Sequence, residues 1–251
     1  MERSTAHSHT FERLDLLAGT QHVERMRGRH AMVLGIGGVG SYVAEALVRG
    51  GIGHLTIVDP DCIAAGNINR QLYALHPEIG TPKVEVAVRR CKAINPALRI
   101  TPLQQSYAAE NAPHLLAPAF DYVFDCIDTI SGKLDLIERC SIGAIPLISS
   151  MGAANKIDPT QIKTTDIFST TICRMARIIR KELRRRGVCT PLPVVYSTEE
   201  FHPLSHAPAK RRAGSDWDKV PLGTTSYVPA LFGYMMAGHV LQQWINADMY
   251  A

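Results

Sequence analysis

A glycine-rich segment early in the chain is the first feature that could do chemistry. It has the spacing G-x-G-G-x-G and directly follows a short apolar run, residues 31–34. Glycines let the backbone turn tightly and approach a phosphate, and the amino end of a following helix offers free N–H groups. Asp59 ends the next apolar run, at the offset where an acid binds a ribose hydroxyl. We therefore predict a nucleotide site formed by Gly35, Gly37, Gly38, Gly40 and Asp59.

The glycine segment alone leaves several explanations open. It suits NAD as well as ATP, and a glycine turn can also serve only the close packing of a helix on a strand. Polar residues just beyond the acid favour ATP, because arginine offers a bidentate fork and lysine a point charge to phosphate oxygens. A dehydrogenase has no evident use for them there. These residues are Asp61, Asn67, Arg70, Gln71 and Lys83, each of which taken singly would be an ordinary surface residue.

The segment D-C-I-D-T, residues 125–129, follows a further apolar run. Ligands of open α/β sheets bind at the carboxyl ends of strands, so a carboxylate here could hold magnesium. Asp128 is the candidate ligand. It could instead, or in addition, cap the next helix, because aspartate is a preferred cap. Cys126 follows the strand pattern, and we interpret it as a small core residue.

Residues 174–186 form a strongly basic segment. They contain seven arginines and lysines and one acid, Glu182, so that the formal charge is +6, whereas the other 238 residues together carry −2. Basic residues three or four apart fall on one face of a helix, which would bind a phosphate backbone. A solvated helix or an acidic protein partner would also explain the charge. The candidate RNA-binding residues are Arg174, Arg177, Arg180, Lys181, Arg184 and Arg185, with a possible second contact from Lys210, Arg211 and Arg212 in a loop.

Short apolar runs alternate with helix-like segments along most of the chain. The predicted strands are 31–34, 54–59, 98–103, 122–126, 145–150, 161–167 and 194–197. The predicted helices are 41–49, 83–94, 131–141, 174–186 and 227–246, after a helical segment within residues 1–30. This alternation predicts a Rossmann-like, doubly wound α/β fold with a mostly parallel sheet, additional C-terminal antiparallel strands and a closing helix. We expect a single domain over residues 1–251, with a long loop at 202–222.

Composition agrees with a folded chain. Of 251 residues, 46% are hydrophobic and 20% charged, which excludes a disordered chain, a collagen-like chain and a coiled coil. The six cysteines form no C-x-x-C pair, so a structural zinc of that kind is not expected. The polar N-terminus is not a secretory signal, and we expect a cytoplasmic protein with free thiols. The apolar stretch 227–240 is too short for a membrane span, so we interpret it as a buried helix, with membrane contact as the alternative.

Five segments in this order resemble the ubiquitin-activating-enzyme-like superfamily of ThiF, MoeB and HesA. They are G-I-G-G-V-G-S, I-V-D-P-D, N-I-N-R-Q, G-T-P-K-V-E and D-C-I-D-T. The resemblance covers most of the chain from Phe11 onward and implies transfer of AMP from ATP to a carboxylate. It implies that Asp59 binds the ATP ribose, that Asn67 and Arg70 contact the phosphates, and that Lys83 meets the α- and β-phosphates.

The same resemblance implies further roles and a homodimer. Asp128 would bind magnesium and be catalytic. Arg13, in F-E-R-L, matches an N-terminal arginine that reaches into the ATP site of the other subunit. Relatives often have a second arginine three residues earlier, but Thr10 stands there, so only Arg13 can serve. The implied catalytic set is Asp128, Arg70, Lys83 and Arg13, and its completeness disfavours an inactive binding module.

Later segments resemble one branch of this superfamily, the tRNA threonylcarbamoyladenosine dehydratases (TcdA, CsdL). They are I-S-S-M-G-A-A-N-K, I-D-P-T-Q, T-D-I, Y-S-T-E and residues 229–239. The branch implies an ATP-dependent tRNA-modifying ligase or cyclase that dehydrates threonylcarbamoyladenosine in the anticodon loop through a carboxyl-adenylate, forming AMP and pyrophosphate. The implied partners are tRNA, a second copy of the chain and a sulfur-transfer protein of the cysteine desulfurase system. The alternative is adenylation of the C-terminal glycine of a ubiquitin-like sulfur-carrier protein.

Overall fold

Seven strands form one sheet in the part of the chain that the computed structural model describes, residues 10–200 and 222–249. They are β1 (His30–Leu34), β2 (His54–Val58), β3 (Arg99–Leu103), β4 (Tyr122–Asp125), β5 (Leu147–Ser150), β6 (Ile162–Asp166) and β7 (Pro193–Ser197). Their order across the sheet is β3-β2-β1-β4-β5-β7-β6. All neighbours pair in parallel except β6 and β7, which pair antiparallel at one edge.

Helices connect the strands and cover both faces of the sheet. They are α1 (Glu12–Ala18), α2 (Thr20–Gly28), α3 (Gly40–Arg49), α4 (Lys83–Ile94), α5 (Ala112–Leu115), α6 (Ile130–Ile142), α7 (Arg174–Arg185) and α8 (Val228–Met249). Helices α3, α4 and α8 pack on one face, and α6 and α7 pack on the other. Helices α1 and α2 pack against each other and against α8.

The central strands are buried on both faces, which explains their unbroken apolar runs. Every position of β4 is buried, and so is every position of β1 and β2 after the first residue. Parallel strands covered by helices on both faces need apolar side chains at successive positions rather than at alternate ones. The two serines that end β5, Ser149 and Ser150, are buried polar exceptions.

The predicted fold class is confirmed, and the differences from the predicted elements are local. Strand β5 begins two residues later than predicted, because the N–H of Ile145 donates to the carbonyl oxygen of Cys140 (2.9 Å) and cannot join the ladder. The four-residue helix α5 is too short to give a periodic pattern and was not predicted. The predicted loop 202–222 lies outside the described residues apart from Leu222. Among the described helices, none combines the length and the hydropathy of a membrane span.

The carboxyl ends of the parallel strands all lie on the same side of the sheet, and we name this side the carboxyl edge. Ligands of open α/β sheets bind there, and the segments that follow β1, β2 and β4 contain the predicted nucleotide residues. The first turn of α7 reaches the same edge. Met175 Cε lies 4.0 Å from the position that a Cβ would occupy at Gly152, two residues after the end of β5.

Candidate active site

The glycine turn between β1 and α3 forms a cradle of backbone amides. The N–H groups of residues 37–40 have no hydrogen-bond partner among the described residues, and they lead into the amino end of α3. Gly35 has a φ of +87°, and a Cβ there would lie 2.7 Å from the carbonyl oxygen of Cys126. At Gly40 a Cβ would lie 1.8 Å from the carbonyl oxygen of Gly35. Only glycine fits at both positions, and the exposed amides suit an anion.

Asp59 is buried at the end of the β2 segment and holds the glycine turn in place. Its Oδ2 accepts a hydrogen bond from the N–H of Ile36 (2.6 Å), and its Oδ1 accepts one from the N–H of Asp61 (2.9 Å). A carboxylate has about four acceptor positions, so capacity remains for a ribose hydroxyl. Asp59 thus supports the turn, and its contact with a ribose stays a prediction.

Lys83 is buried at the first residue of α4 and meets two acids of the site. Its Nζ lies 2.7 Å from Oδ2 of Asp61 and 3.3 Å from Oδ1 of Asp59. The backbone N–H of Lys83 donates to the carbonyl oxygen of Asp61 (3.0 Å), which fixes the stem of the side chain. An ammonium group has three donors, so one is left for a phosphate oxygen.

Arg70 lies beside the cradle. Its Cγ is 3.3 Å from the position that a Cβ would occupy at Gly38. Nη1 donates to the carbonyl oxygen of Gly66 (2.7 Å) and to Oδ1 of Asn69 (3.0 Å). The other guanidinium nitrogens make no hydrogen bond to the described residues. The side chain is therefore held at one nitrogen and offers the rest of its fork to a ligand.

Gln71 carries an unsatisfied polar atom inside the site. The residue is 7% exposed, and its Oε1 has no hydrogen-bond partner among the described residues. Its Nε2 lies 3.7 Å from the position that a Cβ would occupy at Gly37. A buried acceptor without a donor costs free energy, so this oxygen fits a ligand hydroxyl or a water. Asn67 instead caps its own turn, where Oδ1 accepts from the N–H of Ala64 (3.0 Å).

Asp128 is exposed on the turn that follows β4, at the carboxyl edge. Thr129 is the N-cap residue of α6, so the alternative interpretation of Asp128 as the cap is wrong. The carboxylate of Asp128 forms no hydrogen bond or ion pair with the described residues and can bind a cation.

Magnesium fits this arrangement only together with phosphates. The described residues contain no group of three histidines, cysteines or acids that could hold a metal by itself. Magnesium usually keeps several waters and binds one or two carboxylates plus substrate phosphates. Asp128 supplies one carboxylate at the edge where the cradle opens, which suits an ion that arrives with a triphosphate.

Helix α7 presents a row of cations to solvent. Its buried face consists of Ala176, Ile179 and Leu183. Its exposed face, which we name the basic face, carries Arg174, Arg177, Lys181 and Arg184. The guanidinium of Arg184 also lies over the ring of Phe168, 5.5 Å from its centroid. These four residues are exposed in the described part of the chain, and their contact with RNA stays a prediction.

Two other arginines of α7 are engaged by the protein. Arg180 is half-buried, and its Nη1 donates to the carbonyl oxygens of Thr170 (2.8 Å) and Ile167 (3.4 Å). Nη1 of Arg180 thus helps to hold α7 in place, and a contact of Arg180 with RNA stays a prediction. Arg185 is exposed and pairs with Glu182 at 2.7 Å. Lys210, Arg211 and Arg212 lie outside the described residues.

Arg13 is not brought to the site of its own chain. It is exposed on α1, and the ring of Phe11, just before this helix, lies 3.8 Å from the position of a Cβ at Gly51. Gly51 precedes β2, at the edge of the sheet opposite the carboxyl edge. Any contribution of Arg13 would have to be made to a second copy, as the resemblance implies.

Three cysteines, Cys91, Cys126 and Cys140, are poor nucleophiles. Burial raises the pKa of Cys91 to about 11 and that of Cys140 to about 12. Burial, followed by the nearby charge of Asp125, raises the pKa of Cys126 further still. A protonated thiol does not attack a carbonyl group, so none of the three fits a thiolate role. Cys126 packs against the glycine turn, which agrees with its interpretation as a small core residue.

Comparison with known proteins identifies the family. Residues 11–249 match the ThiF family. The chain belongs to the ThiF family. It is 37% identical over 243 residues to the tRNA threonylcarbamoyladenosine dehydratase of Bacillus subtilis, with 95% of each chain covered. It is 34% identical over 241 residues to the protein of the same name from Escherichia coli, with 90% of each chain covered. The crystal structure of the E. coli enzyme in complex with ATP has a TM-score of 0.87 and 32% identity, covering 98% of both chains.

Sequence reasoning missed two groups of residues in this ThiF-family site. Asn69 joins Arg70 to the segment before α8, since its Nδ2 donates to the carbonyl oxygen of Thr224 (3.2 Å). Beneath Asp128, Lys133 pairs with Asp125, and both side chains are fully buried. The burial of Asp125 could have been predicted from the sequence, because this acid lies within an apolar run. The burial of Lys133 could not, because a lysine on a helix is usually exposed.

Proposed function

We propose that this chain catalyses the ATP-dependent dehydration, by ring closure, of threonylcarbamoyladenosine in the anticodon loop of tRNA. The observation that carries the proposal is that a phosphate cradle and the first turn of α7 lie at the same edge of the sheet. A dehydrogenase would use the cradle without Arg70 and Lys83. The match to dehydratases over 90% or more of the chain supports tRNA as the polyanion.

In the first step, an oxygen of the substrate's carboxylate bonds to the α-phosphorus of ATP, and the bond to pyrophosphate breaks. The amides of residues 37–40 hold phosphate oxygens, while Arg70 and Lys83 offset the negative charge that develops on them. Asp128 would hold magnesium beside the phosphates, and the bound ion would supply further positive charge there. These residues bind and orient the triphosphate, and none of them takes a covalent role.

In the second step, an atom of the same substituent attacks the activated carbonyl carbon, closes the ring and releases AMP. The nucleoside loses one water in total, and the oxygen that leaves the carboxylate ends in AMP. The reacting groups belong to one substituent, so their effective concentration is high and no protein nucleophile is required. The raised pKa of Cys126 agrees with this route.

The basic face would bind the tRNA backbone next to the reaction. At 1.5 Å per residue, the row from Arg174 to Arg184 extends about 15 Å from the carboxyl edge along α7. Contacts of this kind orient a nucleic acid without reading its sequence. Recognition of the modified adenosine itself would therefore come from residues around the cradle.

We also propose a homodimer in which Arg13 enters the partner's site. Helix α1 exposes Leu16 and Leu17 by 73% and 71%, and large apolar side chains on one short helix are typical of an interface. We place the reaction in the cytoplasm, together with its tRNA substrate. A sulfur-transfer partner stays a prediction.

The sulfur-carrier alternative has less support. The relatives that cover 90% or more of the chain are named dehydratases, and the chain's basic face is suited to a polyanion rather than to a short peptide tail.

Mass analysis of nucleosides tests the proposed function directly. tRNA that carries threonylcarbamoyladenosine is incubated with the protein and ATP, and we expect the modified nucleoside to lose one water while AMP and pyrophosphate form in equal amounts. Asp128→Ala should abolish this turnover and leave the melting temperature unchanged, because the carboxylate is exposed. Turnover that requires a diglycine-tailed carrier protein in place of tRNA would contradict the proposal.

A further inference from the structure

We propose that Lys133 is a positioning residue that holds the turn carrying Asp128, together with its buried partner Asp125. The inference rests on the role of Asp128 in the proposed function. It concerns a group that never meets the substrate, because Lys133 and Asp125 are both 0% exposed.

The buried cluster joins one helix and two strands. Nζ of Lys133, on α6, lies 2.8 Å from Oδ2 of Asp125 at the end of β4. Ser149 on β5 donates its hydroxyl to the same oxygen (2.6 Å), and Nζ of Lys133 also lies 3.2 Å from Oγ of Ser149. Each charged group is thus fully paired inside the protein, which is the condition on which a buried charge is tolerated.

Lys133 reaches both ends of the Asp128 turn. At the start of the turn, its ammonium holds Asp125, whose Oδ1 accepts a hydrogen bond from the N–H of Ile127 (3.1 Å). At the end of the turn, the backbone N–H of Lys133 donates to the carbonyl oxygen of Thr129 (3.1 Å). Asp128 lies between these two attachments. Its exposed carboxylate forms no hydrogen bond or ion pair with the described residues, so the buried contacts of Asp125 and Lys133 are what hold the turn.

An apolar pair of similar size would fill the same space, and replacing a buried ion pair in this way is often neutral for stability. A charged pair differs because it tolerates only a narrow geometry, since both partners need their hydrogen bonds in a water-free site. We infer that this pair sets the position of the turn rather than the stability of the fold.

The test removes both charges at once, because Lys133→Met alone would leave a buried carboxylate unpaired and could prevent folding. In the double variant Lys133→Met/Asp125→Asn, the asparagine keeps its acceptor for Ile127. The matched control is Arg139→Met/Asp135→Asn, a solvent-accessible ion pair on the same helix. Three quantities are measured: the melting temperature, the affinity for AMP, and the affinity for Mn²⁺ in the presence of ATP.

We expect the double variant to melt near the wild-type temperature and to bind AMP unchanged, but to bind Mn²⁺ about tenfold more weakly. Pyrophosphate exchange should show kcat lowered by tenfold or more with KM for ATP retained, because misplacing a group by about 1 Å can cost a factor of roughly 100. The triple variant that also carries Asp128→Asn should be no worse than Asp128→Asn alone, since the pair acts through Asp128. The control variant should match the wild type.

The proposal is overturned if the double variant keeps wild-type Mn²⁺ affinity and kcat. It is also overturned if the affinity of the double variant for AMP falls by the same factor as its Mn²⁺ affinity and its kcat. It is also overturned if Asp128→Asn adds its full loss to that of the double variant. The binding measurements use no RNA, so they decide the role of Lys133 even if the tRNA reaction itself fails.

Discussion

The N–H of Ile36 lies 2.6 Å from Oδ2 of Asp59, which ties the glycine turn to the end of the neighbouring strand. The same carboxylate accepts from the N–H of Asp61 and lies 3.3 Å from Nζ of Lys83. One buried acid thus connects the cradle to the lysine of the site, and its loss should affect both.

Asp59→Asn should weaken AMP binding by at least tenfold and lower the free energy of unfolding by about 1–3 kcal/mol, because the negative charge is lost and one of the two amides then faces an NH2 group that cannot accept its hydrogen bond. Calorimetric titration with AMP and urea unfolding measure the two effects. An unchanged affinity for AMP would refute the link between Asp59 and the cradle.

Gly40→Ala should abolish nucleotide binding. The added carbon would lie 1.8 Å from the carbonyl oxygen of Gly35, a backbone atom that no rotamer change can move. Gly28→Ala is the matched control, because a carbon added there meets nothing within 4 Å. Binding of a fluorescent ATP analogue distinguishes the two variants. If Gly40→Ala binds like Gly28→Ala, the turn does not have the geometry described above.

Neutralising Arg177 and Lys181 by glutamine should weaken tRNA binding and make the dependence of log K on log salt shallower by about 2, because two phosphate contacts are removed. Filter binding at several salt concentrations measures the slope. The matched control is Arg27→Gln/Arg99→Gln, the same change of charge on residues exposed elsewhere. An unchanged slope for the α7 variant would exclude the basic face as the RNA contact.

Arg180→Gln should behave differently from its neighbours on α7. Its guanidinium donates to the carbonyl oxygens of Ile167 and Thr170, so we expect a loss of about 1–3 kcal/mol in the free energy of unfolding and no change in the salt slope. Urea unfolding together with the same filter assay checks both. A shallower slope with normal stability would show instead that Arg180 contacts RNA.

Stability should fall as the solution becomes mildly acidic, because of two stacked histidines. The rings of His30 and His54 lie 3.6 Å apart and nearly parallel. Burial, followed by repulsion from His54, lowers the pKa of His30, and burial followed by Arg99 lowers that of His54. The unfolded chain therefore binds more protons than the folded chain in mildly acidic solution. The contribution of the two neutral histidines to the free energy of unfolding is fully present above the ordinary histidine pKa of 6.5 and is lost as pH falls below it.

His54→Phe keeps the ring stack and removes one of the two titrating groups. Urea midpoints measured between about pH 5 and pH 7.5 should vary less for this variant than for the wild type. Equal slopes would show that the pair does not control the acid sensitivity.

Local patterns in the sequence were sufficient to predict one class of features. The run of residues 31–34, the glycine spacing and the helix 83–94 are set by side-chain periodicity and by backbone angles that only glycine adopts easily, so each can be recognised without knowing what lies beside it. The charge row of α7 belongs to the same class, because residues three or four apart share a helical face in any tertiary context.

Which of these residues contact each other depends on the packing of the whole chain. Lys83 pairs with Asp61 and Asp59 because α4 begins beside the end of β2, and Lys133 reaches Asp125 and Ser149 because β4 and β5 are neighbours in the sheet. The same packing places Nη1 of Arg180 against the carbonyl oxygen of Thr170, whereas the neighbouring cations of α7 face solvent. It also places the start of α6 so that Thr129, and not Asp128, is the N-cap residue. Strand order and helix packing are properties of the whole chain. A buried charge such as Lys133 is stable only because those contacts bring its partners to it, and no local pattern records them.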